Sequence, residues 1–443
     1  MLNRTSDTLL QLIAFPRRIH KQLVKLQLAK LNVNETGKKL KVLMFGWEFP
    51  PHNSGGLGVA CYGLSKALAK DGVGISFVLP KMMEVSADFL KLVFASPEEI
   101  ELNFFNSLLS PYLSAESYLS RRAAEESGLY GQSLFDEVER YAALSGSIAD
   151  REDFDIIHAH DWLSFLAGIE AKRRSGKPLV VHVHATEYDR TGDGAINPFV
   201  YKIEKEGMAE ADKIIAVSDF TKRKIVEKYG VDPRKIEVVH NGDDPSSASG
   251  ERSGESLLSR IKEAGFKIVL FVGRFTLQKG PDYFLHAAKK VLEMEPDVFF
   301  AMVGSGDMEG QLRQEVAALG VSGRVVFTGF LRGGELAEAF RAADVLVMPS
   351  VSEPFGIVPL ESLRNGTPVI ISKQSGVSEV VRQALKVDFW DVDEMANKIV
   401  AVLRHPPLSE QLARDGQAEA AAATWESAAK KCINIYQNLL TTN

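Results

Sequence analysis

The feature that most constrains this chain is an alternation that occurs twice. Short apolar runs rich in β-branched and aromatic residues are each followed by a segment with helical spacing. The first series holds KLKVLMFGW (Lys39–Trp47), ISFVLP (Ile75–Pro80), DIIHAH (Asp155–His160), PLVVHVH (Pro178–His184), KIIAVS (Lys213–Ser218) and IEVVHNG (Ile236–Gly242). The second holds KIVLFVG, VFFAMVG, VVFTG, DVLVMPS and PVIIS, between Lys267 and Ser372. Near-continuous apolar runs suit strands buried on both faces, as in a parallel sheet covered by helices.

Between the two series lies DDPSSASGERSGES (Asp243–Ser256), a polar, Gly/Ser-rich linker or mobile loop. The chain has 443 residues, 45% of them apolar, which suits two bodies of about 200 residues each. The reading is α/β, with two Rossmann-like domains and a cleft between them. The divisions expected are an extension over 1–38, a first domain over 39–242, a linker over 243–265, a second domain over 266–415 and a C-terminal helix over 416–443. Residues 81–150 read as mostly helical. Ligands of such sheets bind outside the carboxyl ends of the strands, so a cleft between two of them suits a nucleotide-containing substrate.

Lys and Arg number 52 against 58 Asp and Glu, a net charge of −6, which argues against nucleic acid as partner. Cys61 and Cys432 have no metal-ligand spacing and form no disulfide framework, which points to a reducing, cytoplasmic setting. No apolar run reaches the ~20 residues that cross a bilayer. LLQLIAF (Leu9–Phe15) is followed by basic residues and lacks a small-residue cleavage site, so it does not read as a signal peptide. RRIHKQLVKLQLAKL (Arg17–Leu31) is a basic amphipathic pattern that packs on protein or lies on an anionic membrane; residues 9–31 are the candidate peripheral contact.

Three stretches carry chemistry. FVGRFTLQKG (Phe271–Gly280) ends a strand and opens a helix, with Arg274 and Lys279 where two cations and helix amides suit a diphosphate; solvated surface cations are the alternative. NSGGLG (Asn53–Gly58) lets backbone amides of Gly55 and Gly56 approach an anion, or makes a tight turn. EPFGIVPLE (Glu353–Glu361) reads as a loop after a strand, with Phe355 before a helix that Gly356 and Ile357 open. Its carboxylates suit vicinal hydroxyls, one on each side of a diphosphate; a capping or solvated glutamate is the alternative.

The set Arg274, Lys279, Glu353 and Glu361 resembles the R…K…E-x7-E pattern of glycosyltransferase family 4, retaining enzymes of GT-B architecture. SEPFGIVPLESLRNGTPVIISKQSGVSEVV, HAHDWL and HVHATEYDRTG look most like its glycogen and starch synthase members. The resemblance covers about residues 40 to 440. It implies retaining transfer of a hexose, glucose first, from a nucleoside diphosphate such as UDP or ADP to an α-glucan or related carbohydrate acceptor. An envelope lipid or polysaccharide acceptor, or a non-catalytic sugar-nucleotide binder, are the other readings. It implies no cofactor and no metal beyond the donor substrate. It places Glu361 on the ribose, Arg274 and Lys279 on the diphosphate, Glu353 at the donor sugar, His184 near the anomeric carbon and His160 near the outer hydroxyls; Asp161 is a candidate substrate-binding residue beside His160.

His158, His160, His182 and His184 alternate along two strand ends, which raises a metal site; no cysteine or carboxylate partner is evident, and His158 and His182 sit deeper, as packed residues do. The chain departs from the synthases' K-x-G-G loop, with Asn53 in place of the lysine, and from their NGVD junction, with HNGDDPSS.

Overall fold

The computed structural model describes residues 39–52, 55–85, 87–95, 134–243 and 256–442. The basic pattern at 17–31 and the Asn53–Ser54 dipeptide lie outside the described residues.

Two wholly parallel sheets form. The first contains β1 (Lys41–Phe45), β2 (Gly74–Leu79), β3 (Lys91–Phe94), β4 (Ile156–His160), β5 (Leu179–Val183), β6 (Lys213–Ala216) and β7 (Ile236–Val238), in the order β3-β2-β1-β4-β5-β6-β7. The second contains β8 (Lys267–Val272), β9 (Val298–Val303), β10 (Val325–Gly329), β11 (Val345–Met348), β12 (Val369–Ser372) and β13 (Leu385–Val387), in the order β10-β9-β8-β11-β12-β13. In each, the strand order reverses beside the first strand, at β1/β4 and at β8/β11. Connections leave those two strands in opposite directions and open a crevice at their carboxyl ends.

The central strands β4 and β5 are buried at every position, as their continuous apolar runs require. The edge strands β3 and β13 were not legible as strands. Lys91–Phe94 is part-exposed throughout and lies inside the stretch read as helical, and Leu385–Val387 has only three residues. Such short edges lack the buried two-sided pattern that marks a central strand.

The segment read as a linker contains the helix Leu257–Glu263. The C-terminal region holds two helices, Pro406–Ala422 and Trp425–Thr442. The last helix buries Trp425, Ala429, Cys432, Ile433 and Tyr436, one helical face, against Leu57, Cys61 and Leu64 of the first sheet's helix Gly56–Lys70. Gly63 permits this contact, since a Cβ there would run into the Trp425 ring. The chain therefore passes twice between the bodies, and the passes touch: the Asp243 N–H donates to Ala423 O at 3.0 Å, and Asp243 bridges Thr424. No helix among the described residues is long and apolar enough to cross a membrane.

Candidate active site

The loops after β8 and β11 build one wall. After β8, Arg274 is followed by the tight turn Leu277–Lys279 and by Gly280 at φ +60. A side chain at Gly280 would collide with Pro349 O, so glycine lets the two loops meet. The Val351 N–H donates to Gln278 O at 2.9 Å and ties them together. Lys279 thereby reaches Glu353, with Nζ 2.5 Å from its carboxylate. The Ser350 hydroxyl donates to the same carboxylate at 3.1 Å. The Glu353 backbone is clamped on both sides: its N–H donates to Gln374 O and its carbonyl accepts from Gly376 N–H, each at 2.9 Å.

Gly356 has φ +97, and a Cβ there would lie 3.0 Å from Glu353 Cγ. Such a residue cannot start a right-handed helix. Gly356 and Ile357, expected to open it, precede Val358–Arg364 instead, with Ile357 as the cap. Glu361 sits in the first turn, half-buried. Burial pushes its pKa up to about 8; the like charge of Asp243 adds to the rise, and Arg364 opposes it. Arg364 Nε in turn lies 2.5 Å from the buried Asp243 carboxylate.

The first sheet supplies the opposite wall. Gly55 and Gly56 lie at the start of the helix Gly56–Lys70, beyond β1. His184 follows β5. Its backbone N–H donates to Asp161 Oδ1 at 2.7 Å, as does that of Ala185 at 3.2 Å. Asp161 has φ 60 and ψ 169, a region almost confined to glycine. Such strain persists only where the surroundings over-determine it; here the buried carboxylate is fixed by those two amides, with Arg190 3.8 Å away. Burial raises the Asp161 pKa to about 6, against Arg190 and the two amides.

The four histidines share one face of β4 and β5, all buried. Burial lowers every one, His158 and His184 to about 3, so they are neutral imidazoles. His158, His160 and His182 bring ring nitrogens within 4.8 Å of one another, and the sequence missed a cysteine neighbour: Cys61 Sγ lies as near to nitrogens of His160 and His184. The planes of His158, His160 and His182, however, lie only 24°, 13° and 31° from parallel. In-plane lone pairs of stacked rings run side by side, whereas a tetrahedral ion needs them to converge. His158 Nδ1 instead meets Tyr436 OH at 2.6 Å.

The useful contact is His160 Nδ1 to His184 Nε2, at 3.0 Å. The buried Nε2 of His160 has no partner. An unmade N–H is less tolerable than an unmade lone pair, so the His160 proton belongs on Nδ1, donating to His184. His184 then carries its own proton on Nδ1, as a donor.

Between the walls lies a cavity of about 260 Å³. Gly55, Gly56, His184, Arg274, Lys279, Glu353, Phe355, Gly356, Ile357 and Glu361 all line it. His160 and Asp161 do not; the structure sets them one layer behind, where they orient His184. Residues that the motifs did not single out join the wall: Asn241 from the junction, Ser350 beside Glu353, and Phe330 and Leu331 after β10. Asn241 and Ser350 stood within quoted stretches, but a lone amide or hydroxyl carries no spacing signal. The arrangement joins two cations, two carboxylates of contrasting environment and a neutral imidazole donor around one cavity.

Residues 133–247 match the family model described as Glycosyltransferase Family 4, and residues 259–419 the one described as Glycosyl transferases group 1. An uncharacterised glycosyltransferase of Methanocaldococcus jannaschii is 29% identical over 409 residues, 90% of this chain and 98% of that one. The D-inositol 3-phosphate glycosyltransferase of Acidothermus cellulolyticus is 33% identical over 322 residues, 68% of this chain and 71% of the relative. Among solved structures, the sucrose-phosphate synthase of Thermosynechococcus elongatus superposes with a TM-score of 0.71 at 19% identity, covering 91% of this chain and all of that one. HepE of Anabaena, solved in complex with UDP and glucose, gives 0.66 at 18% identity, covering 90% of this chain and all of that one. With two parallel Rossmann-like sheets facing each other across the cavity, the chain belongs to glycosyltransferase family 4 and has the GT-B fold.

Proposed function

We propose that this glycosyltransferase moves a hexose, glucose in the first instance, from a nucleoside-diphosphate sugar to a hydroxyl of a carbohydrate acceptor, with retention and without a metal ion. The observation that carries this reading is the convergence of Arg274, Lys279, Glu353, Glu361 and His184 on one cavity at the crevices of both sheets. Arg274 and Lys279 take the diphosphate, where charge-assisted hydrogen bonds stabilise the leaving group. Glu361 accepts the two ribose hydroxyls. Glu353 and the Nδ1–H of His184 face the hexose from opposite bodies. Glu353 stabilises positive charge as the glycosidic bond weakens. The acceptor hydroxyl enters on the face the phosphate leaves, and the departing phosphate oxygen takes its proton.

For the acceptor, an α-glucan is the first reading. A phosphorylated polyol is the second, favoured by the D-inositol 3-phosphate glycosyltransferases among the relatives. A matrix of UDP- and ADP-sugars against maltooligosaccharide, glycogen and inositol phosphate, with mass detection of products, tests it. Transfer from a nucleotide sugar with the product linkage α supports the reading; a β linkage from an α donor overturns retention.

A further inference from the structure

The loop that carries Glu353 belongs to the second body, yet it is gripped by the first. On one side of Glu353, Ser352 Oγ donates to Asp189 Oδ1 at 2.6 Å and accepts from Lys224 Nζ at 3.1 Å. Lys224 also pairs with Asp189 at 3.0 Å, and all three side chains are buried. On the other side, Pro354 O accepts from Ser218 Oγ at 2.5 Å and from Thr221 Oγ1 at 3.3 Å. Asp189 and Lys224 come from helices after β5 and β6, and Ser218 follows β6. Gly376, whose N–H holds Glu353 O, packs so closely on Ser218 that a Cβ there would collide with both Ser218 and Pro354 O. A little further along, Glu379 accepts from the backbone N–H of Asp219 and Phe220 at 2.9 and 2.7 Å, and lies 2.9 Å from His240 Nε2.

The residues on both sides of Glu353 are therefore fixed by groups from the other sheet. Both sets of contacts cross from one body to the other. We propose that Ser218 and Ser352 are positioning residues: the first body sets the Glu353 loop through these two serines and so fixes the place of the carboxylate at the donor sugar from across the cleft. The proposal rests on the role given to Glu353 above. A hydroxyl–carboxylate bond at Ser352 and a hydroxyl–carbonyl bond at Ser218 each constrain one neighbour of Glu353. Losing either leaves the loop's fold to its own body but frees the carboxylate to wander by the fractions of an ångström that matter in a transition state.

The test is a double-mutant cycle on the full chain. Ser352→Ala, Ser218→Ala and Glu353→Gln are made singly, and each serine change is combined with Glu353→Gln. Donor turnover gives kcat and KM for UDP-glucose or whichever donor the matrix selects, and calorimetry gives the Kd of UDP. Each serine change should lower kcat roughly three- to tenfold, the range of one lost hydrogen bond, with the Kd of UDP unmoved. In the Glu353→Gln background the same changes should cost nothing further, because they act through the carboxylate. An equal fold-loss of kcat in both backgrounds would show the serines acting independently and would overturn the proposal, leaving the role of Glu353 intact. An unchanged kcat for Glu353→Gln alone would instead overturn the role of Glu353 and the proposal with it. Should Ser218→Ala fail to fold, Ser352→Ala carries the cycle alone with the same outcomes.

Discussion

Lys279 Nζ and the Glu353 carboxylate lie 2.5 Å apart, so the cation assigned to the diphosphate is held by the carboxylate assigned to the sugar. A donor must exchange this internal partner for its phosphate. Glu353→Gln removes the competing charge. It should lower kcat while leaving the Kd of UDP equal or tighter, measured by calorimetry. Lys279→Met should reduce kcat/KM by about 10- to 150-fold, the value of one charged hydrogen bond. Weaker UDP binding in Glu353→Gln would contradict the exchange.

Glu361 gives donor binding a pH dependence. With its pKa near 8, it is largely protonated at neutral pH. Two ribose hydroxyls need the ionised form as acceptor, so binding releases a proton. Donor affinity should rise as pH rises towards about 8 and level off above it, by up to about tenfold per unit. Glu361→Gln should flatten that dependence and raise KM. The same shift acts on stability. The folded pKa lies above the ordinary 4.5, so the stabilising contribution is whole below about 4.5 and lost as pH rises through about 8. Glu361→Gln should therefore raise Tm at alkaline pH and leave it almost unchanged in acid.

His184 should stay neutral across the working range, since burial holds it at about 3. No limb of the kcat/KM profile should belong to His184; one near 6 would report Asp161, which holds its backbone. Nitrogen-15 NMR should find the His184 proton on Nδ1. His160→Phe, which removes the donor 3.0 Å from Nε2, should mix the tautomers and lower kcat. A proton on Nε2 in the unsubstituted protein would refute the assignment.

Metal dependence follows from the charge balance at the leaving group. Arg274 and Lys279 both line the cavity, and two cations aimed at a leaving diphosphate can stabilise its charge without a bound ion. Turnover should survive EDTA. Loss on chelation with recovery on adding Mg²⁺ or Mn²⁺ would sink this expectation.

Gly356→Ala tests the loop's geometry. A Cβ at φ +97, 3.0 Å from Glu353 Cγ, strains the backbone and pushes on the carboxylate together. It should lower kcat more than tenfold, at a cost in stability of about 1–3 kcal/mol.

The buried strands were readable because they are apolar at consecutive positions. That is why β4, β5, β8 and β11, which aim the site, were placed by pattern alone. Lys91–Phe94 and Leu385–Val387 escaped because each is only three or four residues with a lysine among them, too short an apolar run to mark a strand. Of the site, Arg274, Lys279, Glu353 and Glu361 stood out by charge and spacing, and all four reach one cavity. His160 and Asp161 stand in HAHDWL, which resembles the family as closely as HVHATEYDRTG does, yet only His184 and Ala185 of the latter reach the wall, because the layer a side chain occupies depends on packing across strands. Ser218, Ser352 and Asp189 were invisible: their importance comes from partners 136 and 163 positions away.

The paired crossings at Asp243 and Thr424 make the second body an insertion. The chain enters it and leaves it at neighbouring points, and its last helix completes the first body. Asp243 and Thr424 lie side by side, so the first body left after excising the second could be rejoined there by a short turn. Gly242 has Thr424 and Trp425 backbone where a Cβ would stand, so no other residue fits this pivot. A protein built this way can exchange its second body for another at a single paired crossing, leaving the first body's sheet and last helix together.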